Sequence, residues 1–166
     1  GIVYGISDYG LSKQLGISRN EAGQYIENYF KRYTGVKKYM EEMVVKAKKD
    51  GYVSTLFGRR RYLPDINNSN FNLRSFAERT AINTPIQGTA ADVIKLAMIK
   101  VQKALVESGF KSRILLQVHD ELVLEVCAGE KEQVARIVKD IMEKTVDLSV
   151  PLLAEVAYGK NWAETK

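Results

Sequence analysis

His119, Asp120 and Glu121 interrupt two apolar runs, residues 114–118 and 122–126, and together read as a β-hairpin with a polar tip. A carboxylate on such a tip is held in direction, because the register of a half-buried hairpin is strongly specified. That suits Mg²⁺, which demands near-octahedral oxygen geometry and takes one or two protein carboxylates. Polar residues also fill turns for solvation alone, and for an isolated tripeptide that reading outweighs the functional one. One adjacent carboxylate pair cannot by itself build a two-metal site.

Arg79, Asn83 and Gln87 recur every four residues. On a helix that spacing puts three hydrogen-bond donors on one face, although Pro85 must kink or restart the helix between them. The DNA minor groove offers acceptors at every base pair, so donors there sense pair geometry without reading sequence. The competing reading is local: Thr84-Pro85-Ile86-Gln87 is itself a capping box with proline at its first position. Arg79 has Glu78 and Asp92 as possible ion-pair partners. Arg59-Arg60-Arg61 beside Tyr62 could grip phosphates, or could be a solvated turn. Tyr4 between Gly1 and Gly5 could stack on a base, with a core tyrosine as the default. Gly88 and its small neighbours read as close helix packing, and the segment lacks the Gly-Lys-Ser/Thr ending of a phosphate-binding loop. Cys127 and the aromatic stripes read as core.

The elements that position these residues follow from periodicity and punctuation. Residues 1–17 read as a helix ended by Gly16. Ser18 and Glu21 form a capping box for a second helix with Ala22, Tyr25, Ile26, Tyr29 and Phe30 on its stripe, ending near Thr34-Gly35. A third helix from Val36 buries Tyr39, Met40, Met43, Val44 and Ala47, and Gly51 ends it. Residues 52–57 alternate like a strand, and a loop is expected from Arg59 to Asn72. A helix over 73–83 is expected to break at Thr84-Pro85 and restart as 85–108, with Gly109 as its stop. After the 113–126 hairpin come a helix over 130–146 and a last strand over 152–158. Helices first, then hairpin, helix and strand, describe an α+β fold with an antiparallel sheet.

Composition limits the alternatives. With 45% apolar and 27% charged residues in 166, the chain has the balance of a soluble globular domain or two small subdomains. A single cysteine excludes an intrachain disulfide and points to a reducing cytoplasm, and one Cys with one His cannot complete a structural zinc site. The net charge of +5 divides into +8 through Ser112 and −3 after it, which suggests a polyanion partner on one side. No apolar run is long enough for a membrane span. A start at Gly1 without Met reads as a fragment.

In order along the chain, these segments resemble family A DNA polymerases. Gly1-Ile2-Val3-Tyr4-Gly5-Ile6-Ser7 is similar to the second half of the fingers-helix motif, and residues 51–65 (Gly-Tyr-Val-Ser-Thr-Leu-Phe-Gly-Arg-Arg-Arg-Tyr-Leu-Pro-Asp) to the family's linking segment. Residues 77–92 resemble the stretch entering the palm, and Gln117-Val118-His119-Asp120-Glu121 the palm motif that carries a catalytic aspartate. The resemblance implies an incomplete polymerase right hand, with residues 1–82 the latter part of the fingers and 83–166 the C-terminal part of the palm. It implies DNA-templated DNA synthesis with two Mg²⁺ ions, on primer–template DNA and dNTP, in a bacterial cytoplasm at the nucleoid. Asp120 would be the second metal-binding aspartate, with Glu121 supporting it and His119 near the primer end. Tyr4 would lie at the insertion site. Arg79, Asn83, Gln87 and Gln117 would contact template or primer, and Arg74 the template backbone. The family's first catalytic aspartate, and the fingers arginine, lysine and phenylalanine that hold the triphosphate, are not in this sequence. The chain alone is therefore expected to be inactive without the N-terminal part of the same polymerase. Phage-type single-subunit RNA polymerases share a His-Asp turn and form one alternative; a non-catalytic DNA-binding module is the other.

Overall fold

A computed structural model describes residues 1–165, in two compact units, Gly1–Thr89 and Ala90–Lys166. In the first, a 3₁₀ turn (Ile2–Tyr4) precedes α1 (Asp8–Leu15), so the expected single helix over 1–17 is broken. Gly5, left-handed at φ 77°, ends the turn, and Ser7 accepts the Gly10 N–H as the cap of α1. The expected capping box is present: Ser18 accepts from Glu21 N–H, and Glu21 reaches back to Ser18 N–H at the start of α2 (Arg19–Arg32). Tyr33 alone separates α2 from α3 (Thr34–Asp50), which Gly51 closes in the left-handed region.

Two short strands follow, β1 (Tyr52–Ser54) and β2 (Arg60–Tyr62), antiparallel with Val53 opposite Arg61. β2 lies where a loop was expected; three arginines give no apolar alternation from which a strand could be read. Between the strands, Thr55 and Arg59 close the turn through Thr55 N–H to the Arg59 carbonyl. Ala47, Val53, Leu63, Ile66, Ala77 and Ala81 form the core of this unit. Its alanines come from α3 and from the following helix, α3 lying against β1, while burial of side chains such as Val53 and Leu63 contributes about 1.5–3 kcal/mol each.

The largest departure from expectation is α4, one helix from Phe71 to Glu107 with Pro85 inside it. Asn70 caps it, accepting from Asn72 and Leu73 N–H. Proline removes the donor that Ala81 O would use and costs about 3 kcal/mol in a helix interior. Around the proline, Tyr39 donates its hydroxyl to Ile82 O at 3.3 Å, and Thr89 Oγ1 donates to Pro85 O. Ala81 and Ile82 are buried immediately before the proline.

In the second unit, Val101 and Leu105 of α4 pack with Val134 and Val138 of α5 (Lys131–Glu143), joined by Ile114, Leu122, Leu124 and Val126 from the hairpin. The hairpin is β3 (Arg113–Val118) with β4 (Glu121–Glu125). A bulge at Leu115 shifts the register between Ile114↔Leu124 and Leu116↔Val123. Glu130 fastens the start of β3: its carboxylate accepts Lys111 N–H, Ser112 N–H at 2.9 Å and Ser112 Oγ–H at 2.6 Å. These bonds, those from Lys111 N–H first, hold the Glu130 carboxyl below its ordinary range.

Two further expectations fail here. Residues 152–158 form no strand; among the described residues they find no ladder, and Ala154 N–H instead donates to Glu143 at 3.1 Å. Cys127 is exposed rather than core, because alternation sends Val126 into the cluster and its neighbour outward. No described helix is long and apolar enough to cross a membrane.

Candidate nucleic-acid and metal-binding residues

The α4 stripe begins with Arg79, which is exposed and lies over the backbone of Gly5: a β-carbon there would stand 3.3 Å from Arg79 Cγ. One residue before Gly5, Tyr4 is 49% exposed, so the default of a core tyrosine is wrong. Asn83, the next member of the stripe, points its Nδ2 at the Tyr4 carbonyl at 3.5 Å. Its Oδ1 is buried without a hydrogen-bond partner among the described residues. The structure therefore brings Tyr4, Arg79 and Asn83 together, with Gly5 as the contact point. Gly5 was quoted in the sequence only as part of a motif; a glycine directly after an aromatic at a helix entry was the available signal.

Gln87 continues the stripe and is exposed. Thr84 lies inside α4, where its own N–H is already helical, so the alternative capping box at 84–87 does not form. Nor does Glu78 claim Arg79, since it pairs with Lys48 at 2.6 Å. Immediately beyond Gln87, Gly88 is in close contact with the β1–β2 turn. A β-carbon on it would meet Thr55 Cγ2 at 2.6 Å. Arg59 donates to Gly88 O at 3.0 Å, and Leu56 N–H to Thr89 Oγ1 at 2.9 Å. The packing role expected for Gly88 is what the structure shows. Arg74 donates Nη1 to Asn68 O at 2.7 Å and to Ser69 O at 3.3 Å, fastening the loop ahead of α4.

In the second unit, Val118 pairs with Glu121, leaving a two-residue turn of His119 and Asp120. His119 sits at φ 53°, in the left-handed region that costs a non-glycine residue about 1 kcal/mol or more. A positive φ at the first turn residue belongs to the primed hairpin turns, whose twist matches the flanking strands. Gln117 donates its side-chain amide to His119 O, so Gln117 holds the turn. His119, Asp120 and Glu121 are all exposed, and Glu121 belongs to β4 rather than to the tip.

Among the described residues no three His, Cys, Asp or Glu gather to hold a metal ion. Asp120 and Glu121 still fit one side of a Mg²⁺ shell: they offer hard oxygen donors from a pinned turn and from the first residue of β4, and this ion commonly completes its shell with water and substrate phosphates.

The DNA polymerase family A model matches residues 1–164. The chain is 58% identical over 166 residues to DNA polymerase I of Streptococcus pneumoniae and 57% identical to that of Bacillus caldotenax. It covers 100% of itself but 19% of each relative's length. A solved structure, the POL domain of Pol1 from M. smegmatis in complex with DNA primer-template and dNTP, matches with TM-score 0.97 and 50% identity. That match covers 99% of this chain and 29% of the other. The chain belongs to DNA polymerase family A. The match sets aside the phage-type RNA polymerase alternative.

Proposed function

We propose that this chain works within a longer polymerase that extends a DNA primer by template-directed nucleotidyl transfer. Residues 1–82 are the latter part of the fingers and 83–166 the C-terminal part of the palm. The observation that carries the reading is Asp120 on its pinned two-residue turn, in a chain that matches a polymerase domain described with primer-template and dNTP.

In this reading Asp120 supplies one carboxylate to a Mg²⁺ pair and Glu121 supports it, the remaining carboxylate coming from elsewhere in the longer protein. When bound, such ions supply charge stabilisation to the phosphoryl group in transfer. The other roles belong to side chains. Tyr4, exposed beside Gly5, presents a ring on which the templating position stacks. Arg79, Asn83 and Gln87 donate to minor-groove acceptors, Asn83 through the Nδ2 that lies 3.5 Å from the Tyr4 carbonyl in this structure. Gln117 sets the turn and, with His119, lies by the primer end. The Arg74 donors left over from the loop reach template backbone.

The test is Asp120→Ala in the full-length polymerase. Single-nucleotide incorporation should fall to background while primer–template affinity, read by fluorescence anisotropy, stays close to the parent. Surviving turnover would sink the metal assignment; affinity lost in step with turnover would place Asp120 in DNA binding instead, and a parent that binds DNA without turnover would favour a non-catalytic DNA-binding module.

A further inference from the structure

The polymerase reading leaves one motif unused, the run Arg59-Arg60-Arg61-Tyr62, and the structure divides it. Arg59 reaches across to Gly88 O. Arg61 pairs across the ribbon with Val53. Arg60 and Tyr62 occupy the opposite face, in register with Ser54 and Tyr52. There the Arg60 guanidinium lies 4.5 Å from the Tyr52 ring centroid. Tyr52 and Tyr62 stand 5.7 Å apart, tilted by 57°. Tyr62 is 69% exposed, while Val53 on the other face is 1% exposed and anchors the ribbon in the core.

We propose that the Tyr52–Arg60–Tyr62 face is a stacking platform for single-stranded DNA, and that its occupant is the unpaired template strand. This rests on the reading that the chain serves a primer–template. The chemistry favours a single strand. A ring with an open face can stack only on a base whose own face is open, and duplex stacking hides those faces. The arginine adds the positive charge a phosphate backbone needs, and its stacked position on Tyr52 preorganises it for that contact. A platform of this kind grips without reading sequence, because every base has a π face.

The experiment uses the full-length polymerase and two primer–templates, one with a single unpaired template nucleotide and one with a long unpaired overhang. Affinities are measured by anisotropy over a salt series. The parent should bind the long overhang more tightly. Tyr62→Leu, which keeps apolar bulk and loses the ring, should cut that gain by about tenfold, while Tyr62→Phe retains it. Arg60→Gln should reduce the salt slope for the long overhang by about 0.7, the loss of one single-strand phosphate contact. No gain with overhang in the parent, or a gain that Tyr62→Leu leaves intact, would overturn the proposal and return the face to cross-strand packing or to a protein partner. Failure of the parent to bind either template would instead strike the polymerase reading itself.

Discussion

Gln87 differs from its stripe neighbours in owing nothing to the protein around it. Arg79 leans on Gly5 and Asn83 on Tyr4, whereas the Gln87 side chain is exposed with no hydrogen-bond partner among the described residues. Its loss should therefore separate binding from stability. Gln87→Ala in the full-length polymerase is expected to weaken primer–template binding by about 1–3 kcal/mol, whatever the template sequence. The melting temperature should not change. A fall in melting temperature without a change in Kd would assign Gln87 to the helix instead. At this scale the sequence conveyed donor type and spacing well. It could not convey that Arg74 spends one amino group on Asn68 and Ser69 carbonyls, or that Gln117 donates to the turn it precedes. Those contacts depend on loop paths that no side-chain periodicity encodes.

Elements with local signals were legible. The Ser18–Glu21 box, the stops at Gly16, Gly51 and Gly109, and the hairpin all rest on bonds between near neighbours. Elements settled by distant partners were not. Pro85 reads as a helix break until Tyr39, distant in sequence, donates to Ile82 O. Residues 152–158 alternate like a strand, yet alternation supplies no ladder partner. Glu130 shows a distant tie that can be measured. Its folded pKa is depressed by the Lys111 and Ser112 bonds, so its contribution is present above the unfolded value of about 4.3 and is lost as pH falls through the folded value. Glu130→Gln should melt at a lower temperature than the parent at neutral pH. The gap should narrow as both are acidified below about pH 4. A gap independent of pH would mean that charge is not what fastens β3.

For the molecule as a whole, the decisive quantity is how many carboxylates the chain can bring to one place. The described residues offer Asp120 and Glu121 and no third ligand of the His, Cys, Asp or Glu kind. A two-metal displacement needs more than one such turn. The purified 166-residue polypeptide, supplied with Mg²⁺, primer–template and dNTP, is accordingly expected to give no template-dependent extension on a denaturing gel. Extension above a heat-treated control would show that the chain holds a complete site. The chain spans about a fifth of the length of the relatives it matches.

The contact between Gly88 and Thr55 also constrains the order in which this sequence can change. Every other amino acid carries a β-carbon, and at position 88 that atom would stand 2.6 Å from Thr55 Cγ2. The clash is with a methyl group, so the permissive step lies at the other position: Thr55→Ser removes Cγ2 and keeps the hydroxyl that accepts Arg59 N–H. A lineage that takes the steps in that order meets no steric barrier from this pair, and one that takes them in reverse must cross it. Position 88 is thus contingent on position 55, although the two lie in segments far apart in the chain.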